Sequence, residues 1–120
     1  MNDKLIKDIP KLSDIHTIAF DFDGVFTDNK VYINQNGDET VCCSRSDGLA
    51  FDFLRAYEKY HNLDLDYFIL SKETNPVVSK RAEKLKLKCL SGVSNKLNFM
   101  DDYLDNKNSK NTDKYKGFVY

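Results

Sequence analysis

The stretch HTIAFDFDGVFTD, residues 16–28, joins a short apolar run to a group of acidic residues and a glycine. An apolar run of this length that ends in acids and glycine is typical of a buried strand leading into a loop. The stretch therefore predicts a central strand with a polar loop at its carboxyl end.

Strand and helix patterns alternate through the rest of the chain. Two short runs flank Asn36-Gly37, a dipeptide suited to a hairpin turn. Further strands are predicted at 65–70, 88–91 and 117–120, and helices at 47–61, 76–86 and 94–104. Alternating strands and helices imply right-handed βαβ units. The predicted fold class is α/β: a three-layer, Rossmann-like parallel sheet with helices on both faces and a small β-hairpin flap.

Local signals give the details of the helices. The first helix has an apolar stripe of Leu49, Phe53, Leu54 and Tyr57 and an N-cap at Ser46 or Asp47. We expect Thr74 or Asn75 to cap the second helix, Pro76 to lie in its first turn, and Ser94 to cap the third. The polar segment 105–116 predicts a solvated loop.

Length and composition indicate the general class of protein. A chain of 120 residues is expected to form one domain, residues 1–120. Its net charge of -1 argues against nucleic acid as a partner. There is no apolar run of transmembrane or signal-peptide type, so we expect no membrane association and a cytoplasmic protein. Three cysteines without CxxC spacing suggest neither a disulfide framework nor a zinc site.

Asp21 and Asp23 form a carboxylate pair directly after the first strand. Residues two apart in an extended chain project to the same side, and two close carboxylates repel each other. A cation relieves that repulsion, so the pair indicates a site for Mg²⁺ with a nucleophile and a proton carrier. The alternative is that both residues only end a strand and cap a turn.

The string Asp21 to Asp28 (DFDGVFTD) resembles the first motif of the haloacid dehalogenase superfamily of phosphatases. The resemblance implies that Asp21 attacks phosphorus to form an aspartyl-phosphate. It implies that Asp23 protonates the leaving oxygen and later activates water. Mg²⁺ would bind the Asp21 carboxylate and the Asp23 backbone carbonyl. Thr27 of the same string is a candidate substrate-binding residue.

The resemblance continues at the next two strand ends. Ser71 matches the Ser or Thr of the second motif, whose hydroxyl bonds the phosphoryl group, and Lys96 matches the third-motif lysine. Alone, Ser71 would be a turn residue and Lys96 part of a solvated helix face. Because ligands bind beyond the carboxyl ends of parallel strands, we expect Asp21, Asp23, Ser71 and Lys96 to converge at one sheet edge.

The fourth motif, a set of acids after the next strand, is where the sequence departs from the family. Asp101, Asp102 and Asp105 lie within the third predicted helix, and we expect them to form an exposed acidic face instead. The domain is expected to end before the fourth motif, without one carboxylate of the metal site.

The stretch between the first and second motifs and the stretch between the second and third motifs are both too short to hold a separate cap domain. We therefore expect the hairpin at 31–43 to cover the cleft by pairing with other subunits. A capless chain with the segment Arg45 to Gly48 (RSDG) resembles the tetrameric 3-deoxy-D-manno-octulosonate 8-phosphate phosphatases. It also resembles the phosphatase-like modules of acylneuraminate cytidylyltransferases. Arg45 and Asp47 are candidate substrate-binding residues, or else a surface ion pair or helix cap.

Two functions remain open from the sequence. The first is a Mg²⁺-dependent phosphomonoesterase of a small phosphorylated sugar acid, acting as a homotetramer. The second is a non-catalytic oligomerisation or regulatory module, or a truncated fragment, associated with sugar-nucleotide synthesis.

Overall fold

The computed structural model describes residues 11–107 and 113–120. A 3₁₀ turn, Leu12–Asp14, leads into strand β1, Thr17–Phe20, and a hairpin of β2, Tyr32–Ile33, and β3, Glu39–Thr40. Then follow α1, Ser46–His61; β4, Asp66–Leu70; α2, Val77–Leu85; β5, Lys88–Leu90; α3, Lys96–Lys107; and β6, Phe118–Val119.

Four strands form one parallel sheet in the order β5-β4-β1-β6. Strand β1 is central, and its Thr17 is in register with Asp66 of β4 on one side and Phe118 of β6 on the other. The antiparallel hairpin forms a separate two-stranded sheet. The carboxyl ends of β1, β4, β5 and β6 therefore meet at one edge, where ligands of such sheets bind.

Alternate residues of the strands supply two apolar cores. On one face Ile69 packs with Phe51 of α1 and with Val78 and Ala82 of α2. On the other face Phe68 and Leu70 pack with Met100 and Leu104 of α3. Strand residues one apart point to opposite faces, which is why a single strand serves both cores. The predicted α/β fold, with helices on both faces and a hairpin flap, is confirmed.

Three local predictions need correction. The predicted loop at 105–116 begins later, because α3 continues to Lys107. Asn95, not Ser94, caps α3, since its Oδ1 accepts the Asn98 N–H at 3.0 Å. Within the described chain, neither Ser46 nor Asp47 makes a side-chain cap bond to α1, whose N-cap position is Arg45.

The apolar stripe predicted for α1 is also only partly correct. Phe51 is buried and Leu54 half-buried, whereas Leu49, Phe53 and Tyr57 are exposed. The helix carries apolar residues on two sides, and the spacing of the side chains did not reveal which side meets the core.

Among residues 11–107 and 113–120, no helix combines the length and apolar character needed to span a membrane. Part of the N-terminal segment considered for a signal peptide, and residues 108–112 of the predicted loop, lie outside the described residues.

Candidate active site

A cavity of about 320 Å³ lies at the carboxyl edge of the sheet. It is lined by Asp21, Asp23, Ser71, Lys72, Glu73, Thr74 and Lys96. Asp21 directly follows β1, Ser71 directly follows β4, and Lys96 is the first residue of α3 after β5. The structure thus brings together the four residues for which the sequence predicted catalytic roles, while the roles themselves stay predictions.

Asp21 and Lys96 are in direct contact. Lys96 Nζ lies 2.9 Å from Asp21 Oδ1, with the lysine side chain 19% exposed and the aspartate side chain 42% exposed. Asp21 Oδ1 also accepts the Phe22 N–H at 2.8 Å, which fixes the carboxylate at the strand end. Within residues 11–107 and 113–120, no hydrogen bond is formed to Asp21 Oδ2, so one oxygen of this cavity-lining carboxylate has no protein donor.

Tyr120 is a contact of the site that sequence analysis missed. Lys96 Nζ lies 2.7 Å from the Tyr120 hydroxyl and 5.3 Å from the centre of its ring. Burial lowers the pKa of Lys96, but hydrogen bonds to Tyr120 and Asp21 outweigh this effect and raise it. Lys96 is therefore fully protonated at neutral pH. The strand-end rule could have indicated Tyr120, because it directly follows β6.

Asp23 carries the perturbed carboxyl group of the cavity. Partial burial, with the negative charges of Glu73 and Asp21, raises its pKa above the ordinary value, against the opposing effect of Lys96. A raised pKa makes Asp23 a better proton donor near neutral pH than a solvated aspartate would be. Sequence analysis did not single out Glu73.

Ser71 lies at the base of the cavity and is almost fully buried. Its Oγ accepts the Glu73 N–H at 3.0 Å, and its backbone bonds to both Leu90 and Val93 of the neighbouring strand and loop. The hydroxyl proton remains available for donation, since the oxygen acts as the acceptor in that bond. Glu73 Oε1 in turn accepts the N–H groups of Thr74 and Asn75, which orders the loop.

The three candidate substrate-binding residues do not line this cavity. Thr27 is buried, and its Oγ1 accepts the N–H groups of Gly24 and Asn29, so it holds the loop after β1. Arg45 is exposed at the start of α1, and Asp47 is half-buried beside it. Within the described chain no ion pair joins Arg45 to Asp47, so their substrate role stays a prediction.

The acidic residues of α3 do not line this cavity either. Asp101 and Asp105 both pair with Lys114, at 2.7 and 2.9 Å, and Asp101 accepts the Tyr115 hydroxyl. Asp102 is exposed. These contacts join α3 to the segment before β6.

A second cavity of about 270 Å³ adjoins the first and shares Asp23 and Glu73 with it. Its other lining residues come from the loop after β1, the hairpin and the loop before α2: Phe22, Asn29, Lys30, Val31, Glu39, Val41, Asn75 and Val77.

The oxygen donors at the cavity fit a magnesium ion. Asp21 and Asp23 offer carboxylates and a backbone carbonyl, the ligand type that Mg²⁺ takes, and waters usually complete its shell. Burial, together with the negative charges of Glu73 and Asp21, raises the pKa of Asp23, and a cation would offset those two charges. Among the described residues no group of three or more Asp, Glu, His or Cys side chains is arranged to hold a metal.

No protein-family model matches the sequence. Solved structures do match it. A protein from Streptomyces avermitilis MA-4680, assigned as a HAD family hydrolase, is 37% identical with a TM-score of 0.70, over 82% of this chain and 53% of that one. A protein from Pseudomonas syringae pv. phaseolica 1448a, assigned to the YrbI family phosphatases, is 27% identical with a TM-score of 0.67, over 80% and 52%.

A third match shows the same fold at lower identity. The 3-deoxy-D-manno-octulosonate (KDO) 8-phosphate phosphatase from Moraxella catarrhalis, solved with magnesium, phosphate and KDO, is 24% identical with a TM-score of 0.65, over 82% and 53%. The predicted resemblance to haloacid dehalogenase-type hydrolases is confirmed, and the chain shares its fold with a KDO 8-phosphate phosphatase. The chain spans about half the length of the solved structures that it matches.

Proposed function

We propose that this chain carries the nucleophile and phosphoryl-binding residues of a Mg²⁺-dependent phosphomonoesterase that acts on a sugar-acid phosphate through an aspartyl-phosphate. The observation that supports this most directly is the 2.9 Å contact between Lys96 Nζ and Asp21 Oδ1 in a cavity that also contains Asp23 and Ser71. Similarity to HAD hydrolases and KDO 8-phosphate phosphatases points to the same class of reaction.

In the first half of the reaction, an Asp21 oxygen would attack phosphorus while the bond to the leaving oxygen breaks. Asp23 would donate its proton to that leaving oxygen, so that a neutral alcohol departs. In the second half, Asp23 would take a proton from water as the water oxygen attacks the same phosphorus, which releases phosphate and restores Asp21. Lys96 and Ser71 would contact the phosphoryl oxygens throughout.

Asp21 and the Asp23 backbone carbonyl would hold the magnesium ion. Bound there, Mg²⁺ would supply positive charge that offsets the repulsion between the Asp21 carboxylate and an incoming phosphate.

The substrate class is proposed from the second cavity. Lys30 offers a cation for the carboxylate of a sugar acid, and Asn29 and Asn75 offer amides for hydroxyl groups. The Moraxella catarrhalis structure contains the sugar acid KDO, which is consistent with this assignment. KDO 8-phosphate and an acylneuraminate 9-phosphate are both candidates.

A homotetramer formed through the hairpin, a cytoplasmic location and a single domain over residues 1–120 are parts of the same proposal. Exposed Val31, Tyr32 and Ile33 support the hairpin as the contact. The second candidate, a non-catalytic oligomerisation or regulatory module, is favoured by the pairing of Asp101 and Asp105 with Lys114, away from the residues that line the cavity.

The test is hydrolysis of 4-nitrophenyl phosphate and KDO 8-phosphate with and without Mg²⁺. We expect Mg²⁺-dependent turnover that Asp21→Asn abolishes, because an amide neither attacks phosphorus nor carries the charge that holds the ion. Asp102→Asn, at an exposed acid of α3, is the matched control and should retain full activity. Turnover that survives Asp21→Asn would contradict the proposal, and its absence in the wild type at millimolar Mg²⁺ would favour the non-catalytic module.

A further inference from the structure

Helix α1 carries four large apolar side chains on the side turned away from the core. Leu49, Phe53, Tyr57 and Tyr60 are 57%, 66%, 44% and 86% exposed. We call these four residues the outer face of α1. The core contacts of this helix are made instead by Phe51, which is buried, and by Leu54, which is half-buried.

The outer face is continuous along the helix. Its members are spaced by four, four and three residues, so they lie above one another on one side. At about 100° per residue, Ala50 and Ala56 fall at the borders of the same side. The charged residues of α1 fall outside it: Asp47, Asp52, Arg55, Glu58 and Lys59. Nothing ionised interrupts the apolar surface.

The outer face is large for a surface left in water. From their exposed fractions, the four side chains present about 500 Å². This is about the size of the largest apolar patch on a typical soluble domain, and such patches are often functional. Each partner buries roughly 800 Å² in a stable interface, so residues that flank the outer face would have to contribute as well.

Charges along one border favour a particular partner. Asp52 and Lys59 lie on the same border, two helical turns apart and opposite in sign. If a second α1 packed antiparallel about a two-fold axis near residues 55 and 56, Asp52 of each copy would face Lys59 of the other. In parallel packing about a two-fold axis along the helices, this border would face the opposite border of the partner helix, so Asp52 and Lys59 would not meet.

Existing contacts leave these border residues available. Asp52 pairs with Arg55 Nη1 at 3.1 Å, but its side chain stays 69% exposed. Arg55 is anchored by its other nitrogen to the carbonyl oxygens of Leu85 and Lys86, which fixes α1 against the end of α2. The small side chains of Ala50 and Ala56 permit close approach of a second helix.

We propose that the outer face of α1 is a dimer interface with a second copy of this chain, formed by antiparallel packing of the two α1 helices. Phe53 of each copy would pack against Tyr57 of the other near the two-fold axis, and the Asp52–Lys59 pairs would lie at the rim. This interface is separate from the hairpin and does not depend on the proposed phosphatase activity.

The test separates this interface from the hairpin by measuring mass through sedimentation equilibrium from 5 to 500 μM. The starting protein is Ile33→Asp, in which hairpin association is blocked by a charge on an exposed hairpin residue. We expect it to be dimeric at high concentration, and we expect Ile33→Asp/Phe53→Asp and Ile33→Asp/Tyr60→Asp to be monomeric. Circular dichroism checks that each variant is folded, which the exposure of these positions favours.

Charge reversal tests the antiparallel arrangement. In the Ile33→Asp protein, Asp52→Lys alone and Lys59→Asp alone should each weaken the dimer at least fivefold, and the two together should restore it. Monomeric Ile33→Asp at 500 μM would overturn the proposal, as would a dimer that withstands both Phe53→Asp and Tyr60→Asp. Failure of the double reversal to restore the dimer would overturn the antiparallel packing.

Discussion

Lys30 is the residue through which we expect the proposed catalytic site to select its substrate. It lines the second cavity, which shares Asp23 and Glu73 with the first. If it pairs with the carboxylate of a sugar acid, Lys30→Gln should lower kcat/KM for KDO 8-phosphate about tenfold, as expected for loss of a charge-assisted hydrogen bond. The same variant should leave kcat/KM for 4-nitrophenyl phosphate, which has no carboxylate, within twofold.

Steady-state kinetics on the two esters measures this difference. Lys80→Gln is the matched control, because Lys80 is an exposed lysine of α2 whose ion pair with Glu83 is on the surface. Equal losses on both esters would show that Lys30 acts on the reaction generally and not on recognition of the carboxylate.

Asp66 stabilises the edge of the sheet opposite the cavity. Its carboxylate accepts hydrogen bonds from Tyr103, from Lys107 at 3.1 Å and from Lys88 at 3.2 Å. Burial raises the pKa of Asp66, but these three bonds outweigh it and lower the pKa below the ordinary value. A carboxyl group with a lowered folded-state pKa stabilises the fold above the unfolded pKa of about 4, and this contribution is lost as pH falls through the folded value.

Asp66→Asn should therefore lower the free energy of unfolding by about 1 to 2 kcal/mol at pH 7. The difference from wild type should shrink as pH falls below about 4, because protonated Asp66 also loses its charge. Urea unfolding from pH 3 to pH 7 measures this. Asp52→Asn, at an exposed acid with one surface partner, should change little at any pH. A difference at pH 3 as large as at pH 7 would contradict the ionic origin.

At the scale of elements, the sequence predicted the site residues that follow strands. It did not predict which residues from distant parts of the chain would contact them. Asp21, Ser71 and Lys96 were found because each follows a strong apolar strand or a recognisable motif. Tyr120 was missed because its contact with Lys96 depends on β6 pairing with β1, a link between residues about a hundred positions apart. The outer face of α1 was mistaken for its core side because periodicity defines a stripe without saying what it contacts.

The entry into β6 depends on Gly117. Its φ is +87°, and a Cβ there would lie 2.7 Å from both the Asp14 carbonyl oxygen and His16 Cδ2. Its own carbonyl accepts the N–H groups of His16 and Thr17. A side chain would therefore meet fixed backbone at the start of β1, in a conformation that already disfavours one. Gly117→Ala should cost more than 2 kcal/mol of unfolding free energy and displace Tyr120 from Lys96.

Gly37→Ala separates the cost of placing a side chain at positive φ from the cost of its steric contacts. Gly37 has φ of +85°, but nothing lies within 4 Å of a Cβ at that position. Gly37→Ala should therefore lower the free energy of unfolding only by the conformational contribution, about 1 kcal/mol. Urea unfolding of both variants measures the difference. Equal losses would show that contact with Asp14 and His16 adds nothing at Gly117.

For the whole molecule, we expect the open cleft and the exposed hairpin to make the proposed activity dependent on association. The cavities at the sheet edge are open, and Ile33 at the hairpin is 63% exposed. If hairpins from other subunits cover the cleft, water is excluded and the electrostatic contacts to the phosphoryl group strengthen only in the oligomer. Specific activity should then rise with protein concentration over the range in which mass increases.

Measuring turnover and mass on the same samples, from 0.05 to 50 μM, tests this coupling. Ile33→Asp should remain at the low specific activity of the dilute wild type at every concentration, because the charge opposes burial of the hairpin. Phe53→Asp, which alters the outer face of α1, is the matched control and should retain the concentration dependence. Specific activity that stays constant while mass increases would show that the cleft functions without cover and that the hairpin contact is structural alone.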